Sequence, residues 1–229
     1  INLPWSDRLR ERSFLETEGT LLTAKEALKN KIACHVGGGT HHAHYSFGYG
    51  FCVFNDLAYT AINLIEEKLV RNVLILDLDV HQGDGTIDIC QNNSSIYTCS
   101  VHSNESFPFD KKKGWMDIGL PAKISDYEYL KTIEEILKKI KKQVTPDIVL
   151  YDAGVDVYEN DKLGNFKISL EGIHKRDNMV LDHFLKRNIP IATVIGGGYS
   201  KDVSELAERH SIIFKQAIQS LKKINFRFL

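Results

Sequence analysis

Short, uniformly apolar runs alternate along this chain with segments whose apolar positions recur at helical spacing. Val73-Leu74-Ile75-Leu76 is the clearest run, with the continuous apolar pattern of a strand buried on both faces. Similar runs predict strands over 32–36, 73–79, 95–101, 147–152 and 191–195. Helical spacing predicts helices over 55–69, 85–91, 125–143, 169–187 and 200–223. In the first of these, Leu57, Ala58, Ala61, Leu64 and Ile65 share one face, and Ser169 suits the N-cap of the fourth. Strands alternating with helices imply crossover connections, and so an α/β fold with a mostly parallel sheet covered on both faces. The stretch 103–124 carries neither pattern and reads as a long functional loop.

In open α/β sheets ligands bind beyond the carboxyl ends of the strands, so the residues after each run carry the chemistry. Asp77-Leu78-Asp79-Val80-His81 closes the clearest run, and strand alternation would send Asp77, Asp79 and His81 to one side. Carboxylates at the end of a buried strand need a partner, and a divalent cation satisfies two of them plus a histidine. The other runs end in Gly37-Gly38-Gly39-Thr40-His41-His42, in Ser100 and His102, in Asp152, Gly154 and Asp156, and in Gly196-Gly197-Gly198-Tyr199. A single shared site accounts for these endings better than helix capping does.

Asp79, His81 and Asp156 make a three-ligand set that leaves positions open for water and substrate, the mark of a catalytic zinc site. Their oxygen-rich donors suit Fe²⁺ or Mn²⁺ as well. Of His41 and His42, one can take a proton from the attacking water and the other can stabilise developing charge. Asp77 and Asp84 are left to orient the imidazoles, and Tyr199 to donate a hydrogen bond to an oxyanion. Asp152 reads as structural. Together these parts describe metal-assisted hydrolysis of an acyl group.

Composition narrows the setting. The chain has 229 residues, 43% of them hydrophobic and 26% charged, enough for one domain with a real core. A net charge of −1 gives no electrostatic reason to expect nucleic acid or an anionic membrane as partner. Cys34, Cys52, Cys90 and Cys99 show no C-x-x-C pairing and read as reduced thiols in a cytoplasmic protein. No run is long enough to span a bilayer, and no signal peptide is visible. The chain opens at Ile1 in a segment of helical character, so residues 1–229 read as one catalytic domain that lacks an N-terminal portion.

From about Gly37 to Arg209 the chain resembles the histone deacetylase family, which includes acetylpolyamine amidohydrolases and bacterial deacetylase-like proteins. The resemblance is carried by Gly38-Gly39-Thr40-His41-His42, Gly50-Phe51-Cys52-Val53-Phe54-Asn55 and Asp77-Leu78-Asp79-Val80-His81-Gln82-Gly83-Asp84-Gly85-Thr86. It continues through Gly154-Val155-Asp156 with Asp161 and Leu163-Gly164, and then Gly196-Gly197-Gly198-Tyr199. It implies an arginase/deacetylase-like three-layer fold and zinc held by Asp79, His81 and Asp156. It further implies His42 as general base and acid with Asp84 behind it, His41 as electrostatic partner backed by Asp77, and Tyr199 polarising the substrate carbonyl. The acyl-lysine channel would be lined by Phe51, Gly50 and Gly197 and by Phe107 or Phe109. A structural K⁺ or Na⁺ would sit at Asp77, Asp79, His81, Ser100 and Val101. Gln82 replaces a second histidine of many members, which is similar to the class IV and related bacterial branch. Val155 and Val157-Tyr158-Glu159-Asn160 also differ from the common pattern near the third ligand.

These residues imply deacylation of an N-acyl-lysine peptide or protein, or of an acylated polyamine. Two rivals remain. A ureohydrolase of the arginase fold would hold two manganese ions, whereas one complete ligand set is evident here. An inactive acyl-lysine-binding module would need a defect among catalytic residues that are all present.

Overall fold

The computed structural model describes residues 1–225. Its elements run α1 (Asp7–Asn30), β1 (Ile32–Cys34), α2 (Asp56–Glu66), β2 (Val73–Asp77), α3 (Asp84–Cys90), β3 (Ile96–Ser103), β4 (Met116–Leu120), α4 (Asp126–Gln143), β5 (Ile148–Asp152), α5 (Leu170–Leu185), β6 (Ile191–Val194) and α6 (Val203–Asn225). The six strands form one sheet in the order β1-β6-β5-β2-β3-β4, with every pairing parallel. The fold is therefore the α/β architecture that the alternating pattern predicts. Among the described residues no helix is long and apolar enough to cross a membrane.

Alternation along the central strands builds the two cores. Leu74 and Leu76 of β2 face α4, α5 and α6, packing with Ile133, Ile140, Val180 and Phe184. Val73 and Ile75 point the other way, onto Leu21 and Ala24 of α1 and Leu57, Ala61 and Leu64 of α2. Burying side chains of that size contributes about 1.5–3 kcal/mol each, which is why the sheet's middle strands are apolar throughout.

Two elements depart from the sequence pattern. The stretch 103–124 is not wholly irregular, because Met116–Leu120 adds an edge strand beside Cys99–Ser103. Its alternating Met116, Ile118 and Leu120 are the missed signal; intervening Asp117 and Gly119 on a half-buried edge mask it. The N-terminal helix is long, with its N-terminus capped by the Ser6 hydroxyl, which accepts from the Leu9 N–H at 3.1 Å.

Candidate active site

Parallel register builds the first part of the site. Asp77 of β2 lies opposite Asp152 of β5 and opposite Ser100 of β3. Asp77 has the parity of Val73 and Ile75, and Asp152 that of Ile148 and Leu150, so both carboxylates continue the face turned toward α1 and α2. His41 meets them there, its Nδ1 2.7 Å from Asp77 Oδ2 and 3.8 Å from Asp152 Oδ2. Neither oxygen of the buried Asp152 has a hydrogen-bond partner. Burial, reinforced by Asp77, pushes its carboxyl well above the usual carboxylate range.

The loop that carries His41 and His42 is fastened by the start of α2. Asp56 accepts the backbone N–H groups of Gly39 and Thr40 at 3.1 and 2.8 Å. Asn55, the α2 N-cap, donates to the carbonyls of His41 and Ala43. Gly39 has φ +88°, and a Cβ there would lie 2.6 Å from the Gly196 Cα and 2.8 Å from Asp152. Only glycine allows the two loops to close on each other over that carboxylate.

Strand pairing stops at Asp77, and the aspartates themselves turn the chain. Asp77 Oδ1 accepts the Asp79 N–H at 3.1 Å, and Asp79 Oδ1 accepts the His81 N–H at 2.8 Å. This corrects the alternation argument: Asp77 serves His41, while Asp79 and His81 swing into a separate group with Asp156. His81 Nδ1 lies 3.0 Å from both Asp79 Oδ1 and Asp156 Oδ2. The other oxygens accept backbone donors, Val80 N–H at 2.9 Å and Gly197 N–H at 2.8 Å. From beneath, buried Arg176 of α5 donates to the carbonyls of Gly154 at 2.6 Å and Ala153 at 3.0 Å, with Leu78 at 3.4 Å. It thereby ties the two ligand-bearing loops together.

This second group fits a divalent cation. Potential ligand atoms of Asp79, His81 and Asp156 all lie within 4.8 Å of one another, and all three residues are buried. The carboxylates call for positive charge: burial and then Asp79 push Asp156 up to about 7. Burial pushes His81 down, but Asp156 and Asp79 outweigh it and raise the imidazole to about 10. One nitrogen and two carboxylate donors leave positions open toward the adjoining cavity, which His81 also lines. His41, Asp77 and Asp152 also satisfy the same distance criterion, a second group that sequence spacing did not reveal.

The two imidazoles are mirror-like in contacts but are pushed in opposite directions in their proton affinity. His42 Nδ1 lies 2.6 Å from Asp84 Oδ1, and the two Nε2 atoms face each other at 3.1 Å. With each Nδ1–H donated to a carboxylate, one proton is shared between the two Nε2 atoms. Burial pushes His41 down, but Asp77 and Asp79 outweigh it and hold it well above the ordinary histidine value. Burial and then the His41 charge lower His42 to about 4, against the pull of Asp84. These opposite shifts favour His41 as the holder of the shared proton and leave His42 neutral. Behind His42, Asp84 also meets His44 Nε2 at 3.2 Å, and His44 Nδ1 meets Asp88 at 2.9 Å.

A cavity of about 510 Å³ opens over these groups, lined by His42, His81 and Tyr199 at its floor and by Tyr49, Gly50, Phe51, Phe107 and Phe109 on its walls. Phe107 packs edge-on against His42 with ring centroids 4.8 Å apart, whereas Phe109 is 87% exposed and stands at the rim. Phe51 has φ +67°, a left-handed conformation costly for an aromatic residue, and faces the Tyr199 ring at 6.3 Å. Burial, with Asp79 and Asp156, raises the Tyr199 phenol, keeping its O–H as a donor. Gly197 does not line this cavity; it lies behind the triad, where a Cβ would strike Asp156 and Asp79. Ser100 and Val101 are buried on β3, with Ser100 Oγ 3.0 Å from His102 Nδ1.

Sequence reading passed over Arg176, Arg209, His44 and the exposure of His41 to Asp152. A signal existed for the arginines. Arg176 falls in the apolar stripe Ile173, Val180 and Phe184, and Arg209 in line with Ile212, Ile213 and Gln216, where an unpartnered charge would be costly.

Fold and site together define an α/β protein of the arginase and deacetylase architecture. Residues 2–213 match the histone deacetylase domain family model, and the chain belongs to the histone deacetylase family. It is 42% identical over 217 residues to an uncharacterized protein of Picosynechococcus, covering 95% of this chain and 72% of that one. It also resembles the crystal structure of a histone deacetylase homolog from Aquifex aeolicus (TM-score 0.80, 29% identity), covering 89% of this chain and 56% of that one. A homolog solved in complex with SAHA gives TM-score 0.80 at 28% identity, covering 93% of this chain and 62% of that one.

Proposed function

We propose that this protein is a zinc-dependent amidohydrolase that cleaves the amide of N-acyl-lysine in a peptide or protein, or of an acylated amine such as an acetylated polyamine. The observation that carries this reading is the Asp79–His81–Asp156 triad facing a carboxylate-backed imidazole pair across an apolar cavity. A divalent ion on that triad would supply Lewis acidity and make water a competent nucleophile near neutral pH.

The remaining chemistry belongs to the chain. Neutral His42 takes a proton from the attacking water while Asp84 steadies the imidazolium that forms, and His42 then returns the proton to the leaving amine. His41, kept charged by Asp77, offsets the negative charge that develops nearby. The Tyr199 hydroxyl donates to the tetrahedral oxyanion. Phe51 and Phe107 flank the acyl-lysine stem, whose methylenes match the apolar walls. Asp77, Asp79, His81, Ser100 and Val101 would hold a structural K⁺ or Na⁺, which would offset the carboxylate charge at this sheet edge. A cytoplasmic setting belongs to the same reading, on the ground of four cysteines that form no disulfide.

The Tyr199→Phe variant tests the assignment. With metal in place, its turnover of an acetyl-lysine peptide should fall about 10²–10³-fold, as on loss of an oxyanion donor. Full turnover would remove the role given to that hydroxyl.

A second reading draws on the His41–Asp77–Asp152 group, which would make the site binuclear, as a ureohydrolase requires. Two observations weigh against it: both ring nitrogens of His41 are engaged, Nδ1 by Asp77 at 2.7 Å and Nε2 by His42 at 3.1 Å, and none of the three residues lines the cavity.

A further inference from the structure

Tyr199 follows three glycines, so its own segment does little to hold its ring in place. What fixes its backbone comes from elsewhere. Asp161, in the loop after β5, has a buried side chain whose Oδ2 accepts the Tyr199 N–H at 2.7 Å. The same oxygen accepts from Arg209 Nη1 of α6 at 2.9 Å. Asp161 Oδ1 accepts the N–H groups of Leu163 and Gly164 at 2.9 and 3.0 Å. The Tyr199 carbonyl accepts from the Lys162 N–H at 3.2 Å and from Arg209 Nη2 at 3.4 Å. Arg209 also reaches the Val155 carbonyl at 3.3 Å and lies over the Tyr158 ring at 4.9 Å.

Neither side chain lines the cavity. Both are buried as an ion pair, an arrangement that contributes little net stability compared with apolar packing. Arg209 Nε faces Glu205 of its own helix at 2.8 Å, but both Nη groups and both Asp161 oxygens are spent on two segments: the one around Asp156 and the one bearing Tyr199.

We infer that Asp161 and Arg209 are positioning residues that set the Tyr199 hydroxyl against the reacting carbonyl. The inference rests on the proposed role of Tyr199 as oxyanion donor. The pair touches Tyr199 most directly; its other contacts are to backbone, at Val155 beside Asp156 and at Leu163 on the cavity rim, and it makes none to His42 or to the side chains of the triad. Its removal should slow the chemical step without weakening substrate binding.

A double-mutant cycle on the metal-loaded enzyme tests this. Asp161→Asn and Arg209→Lys are each made alone and combined with Tyr199→Phe, and kcat and KM are measured on an acetyl-lysine peptide. Alone, each should lower kcat by about 10–10²-fold, the penalty of a misplaced catalytic group, with KM nearly unchanged. On the Tyr199→Phe background the further loss should shrink to roughly threefold or less, because the group being positioned is gone. Equal losses on both backgrounds, or no loss in either variant, would overturn the inference. Should Asp161→Asn fail to fold, Arg209→Lys, which keeps the charge but loses the planar fork, carries the same comparison. Unfolding of both variants would assign the pair to holding the fold and overturn the inference equally. A normal rate for Tyr199→Phe alone would instead undo the reading of the tyrosine, a separate result.

Discussion

Two buried groups of two aspartates and one histidine lie side by side at the carboxyl edge of the sheet, and their surroundings differ. In the Asp79–His81–Asp156 group, His81 borders the cavity and the carboxylates draw backbone N–H donors from Val80, His81 and Gly197. In the His41–Asp77–Asp152 group, His41 is tied to Asp77 at 2.7 Å, none of the three residues lines the cavity, and Asp152 has no hydrogen-bond partner, only His41 at 3.8 Å. The first group gathers its carboxylates beside a cavity that substrate can approach; in the second, Asp77 and Asp79 raise the proton affinity of the enclosed His41. Equal composition thus gives a cavity-facing group fit for a metal ion in one place and an enclosed, carboxylate-backed imidazole in the other. The difference lies in access and in who holds the proton.

Removing a ligand from the first group should have the largest effect. Asp156→Ala should abolish metal binding and lower turnover by about 10³-fold or more, given the several kcal/mol a Lewis-acidic metal supplies. Metal content and peptide turnover check it together, and a variant that kept both would dissolve the distinction. Next comes His42→Ala, for which loss of the general base predicts a drop of about 10²–10⁴-fold with metal retained; metal analysis beside kinetics separates this from ligand loss.

The His41→Gln variant sharpens the comparison through pH. His42 is held at about 4 by burial and by the His41 charge. Taking that charge away leaves burial and Asp84, so the His42 pKa must rise. The acid limb of kcat/KM should then move to higher pH, measured on whatever rate remains; a limb that stays or moves lower would contradict the assignment of the shared proton to His41.

The smallest effect is expected at Asp152→Asn. If the second group holds no divalent ion, metal stoichiometry should stay the same and turnover should fall by roughly tenfold at most, since only a neighbour of His41 changes. Loss of one metal equivalent from this variant would favour a binuclear site.

Much of this was legible in the chain. The uniform run 73–76 marks a strand buried on both faces, and the polar residues that follow it do collect at one sheet edge. What the pattern misjudged turns on contacts between distant segments. Alternation was carried too far, because Asx turns at Asp77 and Asp79 redirect the chain where pairing ends. Gly197 lies behind the triad because its N–H serves Asp79, a relation across 118 positions. Asp152 reads as structural until β2–β5 register sets it beside Asp77. The edge strand Met116–Leu120 is half exposed, and its composition says little without the partner that pairs with it.

The most direct test of the account is a metal titration of turnover. Metal-stripped protein receives Zn²⁺ in increments while cleavage of an acetyl-lysine peptide is followed. Turnover should rise linearly and level off at one equivalent per chain. A plateau at two equivalents, or no turnover at any loading, would contradict the single-ion centre.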